Sequence, residues 1–195
     1  METEMETEMQ NEKEASRDTK DAKAPEIEAM LLTDDGEFPN NSSLPLLLFP
    51  AAVDLPDADP AQLFEARFSE NGWRGSWRNG IFPYHHYHST AHEVLGIYRG
   101  GATVLFGGEN GETRKVTAGD VVVIPAGVAH KCLEWSSDLG VVGAYPGNQR
   151  PNLLRGRKKE RPEADENIAA VPRPETDPLF GPEGPLMDYW KAEKE

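Results

Sequence analysis

The sequence predicts an all-β fold, an antiparallel barrel or jelly roll, over residues 77–145. Short apolar runs such as ATVLF, VVVI and GVVGAY are separated by the turn sequences GGENG, TAGD and PAG. Many short strands at close spacing are typical of β-barrels and jelly rolls. The Asn110-Gly111 pair is the strongest hairpin signal, because both residues tolerate the positive φ angles of a tight turn.

The segment before the barrel, residues 25–75, is predicted to hold short docking strands and a helix. Asp59 is a good N-cap, Pro60 suits the first helical position, and Asn71 with Gly72 ends the apolar periodicity. Short apolar pieces alternate with Pro, Asn, Asp and Gly in the rest of this segment. We expect the helix to pack on the outside of the barrel.

Both ends of the chain are expected to extend from the barrel core, which is predicted at residues 76–148. Residues 1–24 are acidic and lack aromatic and β-branched apolar residues, so a disordered tail is expected there. Residues 149–195 are predicted to form a polar linker and a C-terminal arm that packs on the barrel. Five apolar residues favour this docking: Leu179, Phe180, Leu186, Tyr189 and Trp190.

The composition excludes several classes of protein. A length of 195 residues with 37% hydrophobic content favours one domain, and a net charge of −14 disfavours a nucleic-acid partner. The longest apolar run, residues 44–53, is shorter than the roughly 18 residues that cross a bilayer, so no membrane partner is expected. The N-terminus does not resemble a secretory signal, and Cys132 alone cannot form an internal disulfide. A cytoplasmic location is therefore expected.

A candidate metal site stands in the HHYHSTAHE segment and after the PAG turn. His86 and His88 are spaced i and i+2, so on a strand both imidazoles point to one face. The next strand would bring Glu93 inward, and the PAG turn would aim His130 back across the barrel mouth. Three imidazoles and one carboxylate suit divalent transition metals and leave positions open for a substrate.

The spacing of these residues resembles the double motif of the cupin family, G(X)5HXH(X)3-4E(X)6G and G(X)5PXG(X)2H. The chain matches both parts at Gly80, His86, His88, Glu93, Gly100, Gly119, Pro125, Gly127 and His130. Glu134 stands where some cupins have Asn, at a position that is not a ligand. Residues 37–145 are similar to small stand-alone cupins of bacteria and fungi. The resemblance implies a double-stranded β-helix with one or two flanking helices and extended terminal arms.

The resemblance also implies a function. Cupins such as germins, quercetin dioxygenases and acireductone dioxygenases use this ligand set for redox work, so Mn or Fe is expected first, with Ni, Cu or Zn as alternatives. We expect a metal-dependent oxidoreductase or dioxygenase that acts on a small aromatic or enolisable molecule, with dioxygen as a second substrate. Some fungal relatives belong to polyketide-type secondary metabolism. A non-catalytic metal- or ligand-binding cupin and a metal-assisted isomerase remain alternatives, and a homodimer is expected.

Strand alternation predicts a substrate pocket beside the metal. Its predicted lining is Phe82, Tyr84, Leu95, Ile97 and Cys132. Tyr84 is a candidate general acid or oxyanion donor, with a packed wall aromatic as the alternative, and Glu93 is the second candidate catalytic residue.

Several residues near the predicted pocket have both a structural and a functional interpretation. Arg99 would either anchor an anionic group of the substrate or form a surface salt bridge. His85 and His92 are alternative ligands or hydrogen-bonded neighbours of the site. Trp73 and Trp77 are expected in the core or at a dimer interface.

Overall fold

The computed structural model describes residues 26–191, so the tail predicted for residues 1–24 lies outside the described residues. The described strands are β1 (Glu28–Leu32), β2 (Asn41–Phe49), β3 (Trp73–Asn79), β4 (Glu93–Arg99), β5 (Gly101–Phe106), β6 (Glu112–Thr117), β7 (Val121–Ile124), β8 (His130–Trp135) and β9 (Gly140–Pro146). The α-helices are α1 (Pro60–Glu70), α2 (Glu163–Ala170) and α3 (Pro185–Tyr189), and a 3₁₀ turn spans Lys158–Glu160.

The strands form two antiparallel sheets that enclose an apolar interior. The larger sheet has the order β1-β2-β7-β4-β9-β3 and the smaller one the order β6-β5-β8. Side chains from both sheets meet in one buried cluster that includes Leu46, Leu95, Val104, Phe106 and Ile124. This arrangement confirms the predicted all-β jelly roll with flanking helices.

The β5–β6 hairpin contains the Asn110-Gly111 pair, as the sequence predicts. Phe106 pairs with Glu112 at the end of the ladder, and the chain reverses over the residues between them. A β-carbon at Gly111 would lie 1.8 Å from the Phe106 carbonyl oxygen. Only glycine fits this close approach of two backbone segments.

The outer face of the larger sheet is covered by helix α1. The helix begins at Pro60, and the Asp59 carboxylate accepts a hydrogen bond from the Gln62 N–H at 3.2 Å, as expected of an N-cap. Phe64 and Phe68 of this helix are fully buried against the sheet. The central strands of the larger sheet are therefore buried on both faces, which explains their near-continuous apolar runs.

Part of the same outer face is covered by the end of the described chain. Leu186 and Trp190 belong to the cluster that contains Phe64 and Phe68, and the Trp190 indole N–H donates to the Pro45 carbonyl at 2.8 Å. In contrast, Tyr189 is largely exposed. Among residues 26–191, no helix is both long and apolar enough to cross a bilayer.

The contact between Gly96 and Phe64 should limit side-chain size in β4. A β-carbon at Gly96 would lie 2.6 Å from Cδ1 of the buried Phe64 ring. We expect Gly96→Ala to lower the free energy of unfolding in urea by about 1–3 kcal/mol, because it overpacks a closed core. Gly80→Ala is the matched control, since its nearest neighbour would be 3.8 Å away. Equal unfolding midpoints for the two variants would contradict this account.

Candidate metal centre

The segment that carries His86 and His88 is not a regular strand, although the sequence predicts one. It is held on two sides by isolated bridges. On one side His86 and His130 exchange backbone hydrogen bonds at 3.2 and 2.9 Å, and on the other Tyr87 and Leu154 exchange two at 3.0 Å. The segments that contain His130 and Leu154 therefore hold residues 86 and 87 in an extended conformation. Pro83, which has no N–H to pair, precedes them.

Successive side chains in this segment still point to opposite faces, as they do in a strand. His86 and His88 both line a cavity, whereas the Tyr87 side chain points the other way and is fully buried. Tyr87 packs edge-on against Phe38, and its hydroxyl donates to Glu160 at 3.1 Å. The ring of Tyr87 thus fixes which face of the segment presents the histidines.

Glu93 lies at the first position of β4, and its carboxylate faces the same cavity. Its Oε2 atom is 3.5 Å from Nε2 of His88 and 3.4 Å from Nε2 of His130. This oxygen is buried and has no hydrogen-bond partner among the described residues. A buried, unpaired carboxylate oxygen is costly, so the geometry fits a cation bound at this point.

The ring orientation of each histidine favours the tautomer that ligates a metal through Nε2. Nδ1 of His86 faces the Tyr84 carbonyl at 3.2 Å, and Nδ1 of His130 faces the Val128 carbonyl at 3.3 Å. Nδ1 of His88 is in close contact with the Asn152 carbonyl. A carbonyl only accepts, so each Nδ1 carries the proton and each Nε2 keeps its lone pair.

Together these three histidines can hold a metal ion. One ring nitrogen from each of His86, His88 and His130 lies within 4.8 Å of the others. The structure thus brings together the four residues that the sequence predicts as ligands, with Glu93 beside two of the rings. Neutral nitrogen donors with one carboxylate oxygen suit a divalent transition metal better than Ca²⁺ or Mg²⁺.

The electrostatics of the site favour an ionised carboxylate. Burial opposes ionisation of Glu93, but His88 and His130 outweigh it, so the pKa of Glu93 falls well below its usual value. Burial also lowers the pKa of His86, to about 2, and the neighbouring His130 adds to this effect. Burial acts in the same direction on His88, but the Glu93 charge outweighs it and raises the pKa of His88.

The cavity in front of these residues has a volume of about 210 Å³. Besides the four candidate ligands, its walls are formed by Trp77, Asn79, Gly80, Ile81, Phe82, Leu95 and Tyr145. No Lys or Arg is among the described residues that line it. The cavity is therefore mainly aromatic and aliphatic, with the charged groups at one end.

Of the predicted pocket residues, Phe82 and Leu95 line the cavity, whereas Tyr84, Ile97 and Cys132 do not. The Tyr84 ring stacks on Phe82 at 4.9 Å and lies under the Arg155 guanidinium at 3.6 Å.

Ile97 and Cys132 lie in the barrel interior, where both are buried. Alternation predicts the face of each residue but not its depth. Ile97 is four residues beyond Glu93, about 13 Å along a strand, and Cys132 is two residues beyond His130, about 7 Å. The Cys132 thiol contacts the Glu134 carbonyl at 3.4 Å, and burial raises its pKa.

The alternative ligands lie outside the cluster. Nε2 of His85 pairs with Glu109 at 3.0 Å on the protein surface side. Nδ1 of His92 accepts the Ala126 N–H at 2.9 Å, and the His92 ring lies 4.7 Å from that of Trp190. Burial lowers the pKa of His92 to about 4, so its ring is neutral.

Arg99 does not anchor a ligand in the cavity. Its Nε donates to the Asp138 carbonyl at 3.2 Å on the exposed surface. The two tryptophans differ from each other: Trp73 is a core residue whose indole N–H donates to the Thr176 carbonyl at 3.0 Å, and Trp77 is a cavity wall.

The cavity wall formed by Trp77 and Tyr145 is the part of the site that the sequence did not predict. The Trp77 N–H donates to the Tyr145 hydroxyl at 2.8 Å. Trp77 pairs with Gly143, where a β-carbon would lie 2.1 Å from Cζ2 of the indole. Burial and the nearby Glu93 charge raise the pKa of Tyr145. Alternation of positions 141, 143 and 145 could have indicated Tyr145, but the partner of Gly143 depends on long-range register.

Comparison with known proteins agrees with this architecture. A cupin family model matches residues 77–136. The protein YjlB of Bacillus subtilis (strain 168), described as uncharacterized, is 42% identical over 165 residues, which cover 85% of this chain and 97% of YjlB.

Solved structures show weaker likeness. Acireductone dioxygenase from Bacillus anthracis, with cadmium in its active centre, matches with a TM-score of 0.35 and 14% identity over 47% of this chain and 63% of its own. A single-residue variant of the oxalate decarboxylase of Bacillus subtilis gives a TM-score of 0.36 and 14% identity over 78% of this chain and 38% of its own. The family match, the YjlB alignment and the two-sheet fold agree, and the chain belongs to the cupin superfamily.

Proposed function

We propose that this chain is a metal-dependent cupin oxidoreductase of the dioxygenase type, which acts on a small aromatic or enolisable molecule. One observation carries the proposal: three Nε2 lone pairs and an unpaired buried carboxylate converge at the end of an apolar cavity. His86, His88, Glu93 and His130 would hold the metal. Mn or Fe fits this donor set and the reaction, and Ni, Cu and Zn also fit the donors.

The charge balance of the ligands favours a substrate that ionises at oxygen. A divalent metal polarises a bound oxygen atom and, as Mn or Fe, exchanges electrons with dioxygen. Glu93 contributes the single negative charge among the four ligands, so the loaded site keeps one net positive charge. A phenolate or enolate would neutralise that charge, which supports a phenol or an enolisable ketone as the substrate.

The rest of the cavity supports an uncharged substrate body. Trp77, Ile81, Phe82 and Leu95 offer aromatic and aliphatic surface. A cavity volume of about 210 Å³ limits the substrate to a small molecule. A second charged group would lose its hydration there without gaining a cationic partner.

Tyr145 is a better candidate than Tyr84 for the hydrogen-bond donor to a substrate oxygen. Its oxygen already accepts from Trp77, so its own O–H is free to donate into the cavity or to Glu93. A raised pKa keeps this phenol protonated, so it would act as a hydrogen-bond donor to a substrate oxygen. Glu93 would position the metal and compensate its charge.

Metal binding is the first prediction. We expect the purified protein to bind about one divalent metal ion, and His88→Ala or His130→Ala to weaken binding at least about 100-fold, because even groups behind a ligand contribute 10–100-fold. His85→Ala is the matched control, since its ring faces Glu109, and it should bind normally. Elemental analysis and Co²⁺ titration measure both effects. A wild-type protein that takes up neither Mn²⁺, Fe²⁺ nor Co²⁺ would contradict the proposal.

Turnover is the second prediction. With Mn or Fe bound, at least one member of a panel of phenols, flavonols and β-diketones should be consumed together with dioxygen. Glu93→Gln keeps the shape of the side chain but removes its charge, and should lower kcat/KM at least about 10-fold. An oxygen electrode with product analysis measures both. Bound metal without consumption or rearrangement of any compound would favour a metal-binding module.

Charge discrimination is the third prediction. An analogue that carries an extra carboxylate away from the reacting oxygen should show a kcat/KM at least about 10-fold lower, because the buried charge lacks a partner. Ile81→Lys should restore part of the rate with this analogue, and Ile81→Met, of similar length without charge, should not. Steady-state kinetics for each pair of compounds measures this. Equal rates for both analogues in the wild-type protein would exclude the cavity as the substrate site.

A further inference from the structure

The segment after the last barrel strand reaches back to the metal centre. We propose that Asn152 in this segment is a positioning residue that orients His88 for metal binding. The proposal rests on the metal-binding part of the proposed function. It places part of the site outside residues 77–136, which the cupin family model matches.

His88 differs from the other two histidines in the source of its orienting carbonyl. The carbonyl groups that face Nδ1 of His86 and of His130 lie two residues before each ring, on the same segment. The carbonyl that faces Nδ1 of His88 belongs to Asn152, 64 residues further along the chain. The orientation of His88 therefore depends on a tertiary contact, whereas that of the other two is local.

The Asn152 side chain ties this carbonyl to the ligand segment. Its Oδ1 accepts the Ser89 N–H at 2.8 Å, and its Nδ2 donates to the Ser89 hydroxyl at 2.9 Å. The Asn152 N–H donates to the Thr90 hydroxyl at 3.1 Å, and that hydroxyl donates to the Arg150 carbonyl at 2.7 Å. Ser89 is fully buried, so water does not compete for its two bonds to Asn152. Asn152 is thus hydrogen-bonded to Ser89 and Thr90, the two residues that follow His88.

The segment that contains Asn152 makes a second contact with the ligand segment. The Tyr87–Leu154 backbone pair lies next to Asn152, and the His88 carbonyl accepts the Gly127 N–H at 2.8 Å. The backbone of residues 87–90 is therefore fixed on both edges. What Asn152 adds is specific to the His88 ring, because its carbonyl selects the Nδ1–H tautomer and leaves Nε2 free to ligate.

Loss of the Asn152 side chain should release the carbonyl without removing any ligand. The His88 ring could then rotate or carry its proton on Nε2, the atom that faces Glu93 at 3.5 Å. Either change removes one lone pair from the centre. Groups that orient a ligating histidine typically contribute 10–100-fold to metal affinity.

The test uses the full-length protein and Co²⁺ titration, with the d–d absorption spectrum as a second readout. We expect Asn152→Ala to weaken Co²⁺ binding about 10–100-fold and to change the spectrum. Asn152→Asp keeps an acceptor for the Ser89 N–H and another for its hydroxyl, and should bind within about threefold of wild type or tighter. Asn167→Ala removes the other donor to the Ser89 hydroxyl, at 3.3 Å, without touching the carbonyl, and should leave affinity unchanged.

A metal-independent readout and a milder variant complete the test. In the metal-free protein, at a pH where the His88 ring is neutral, two-bond ¹H–¹⁵N spectra should show its proton on Nδ1 in wild type and a mixture in Asn152→Ala. If Asn152→Ala does not fold, Ser89→Ala removes the hydroxyl that accepts from Asn152 and Asn167, keeps the Ser89 N–H bond to Asn152, and should weaken Co²⁺ binding about 2–10-fold. Wild-type affinity and tautomer in these variants would overturn the role of Asn152. Failure of the wild-type protein to bind Co²⁺ would overturn the metal site itself and this role with it.

Discussion

The buried negative charge of Glu93 is the constraint on which the rest of the site depends. The residue is 3% exposed, and its Oε2 atom lies 3.5 Å from Nε2 of His88 and 3.4 Å from Nε2 of His130. Because backbone carbonyls hold the protons on Nδ1, these Nε2 atoms present lone pairs to the carboxylate, and lone pairs repel an anion. A proton on a ring, a hydrogen bond donated to the carboxylate or a cation between the groups relieves this arrangement. A divalent metal would do so at all three rings, whereas protonation of His88, whose pKa the Glu93 charge raises, would do so at one.

The candidate ligands differ in how many strand pairs hold each of them in place. Glu93 begins β4, a central strand that pairs with β7 on one side and β9 on the other, so its position is determined by two ladders. His130 begins β8, which pairs with β5 and, at one residue, with His86. His88 belongs to no strand, and its ring is oriented by the Asn152 carbonyl in the segment after the barrel. Substitutions in the segment after the barrel can therefore change the orientation of His88 without altering the barrel core.

The sequence predicts which residues come together at the candidate site better than it predicts the cavity around them, for a physical reason. The positions of His86, His88, Glu93 and His130 follow from local spacing, because alternation and a tight turn decide which face each side chain takes. Depth along a strand does not follow from alternation, so Ile97 was predicted in the pocket although it lies in the core. The hairpin at Asn110-Gly111 and the N-cap at Asp59 are local signals too, and the structure agrees with both predictions.

The walls of the cavity depend on pairing between distant strands, which no local pattern encodes. Trp77 and Tyr145 meet only because β3 pairs with β9 in the register that sets Trp77 against Gly143. A β-carbon at position 143 would lie 2.1 Å from the indole, so a side chain there and a tryptophan at 77 exclude each other in this conformation. A relative with a larger residue at 143 must therefore build a different wall in front of the same metal ligands. A change at this pair of positions can alter the cavity while the double motif stays intact. The motif therefore identifies the candidate metal site, and the β3–β9 wall shapes the cavity beside it.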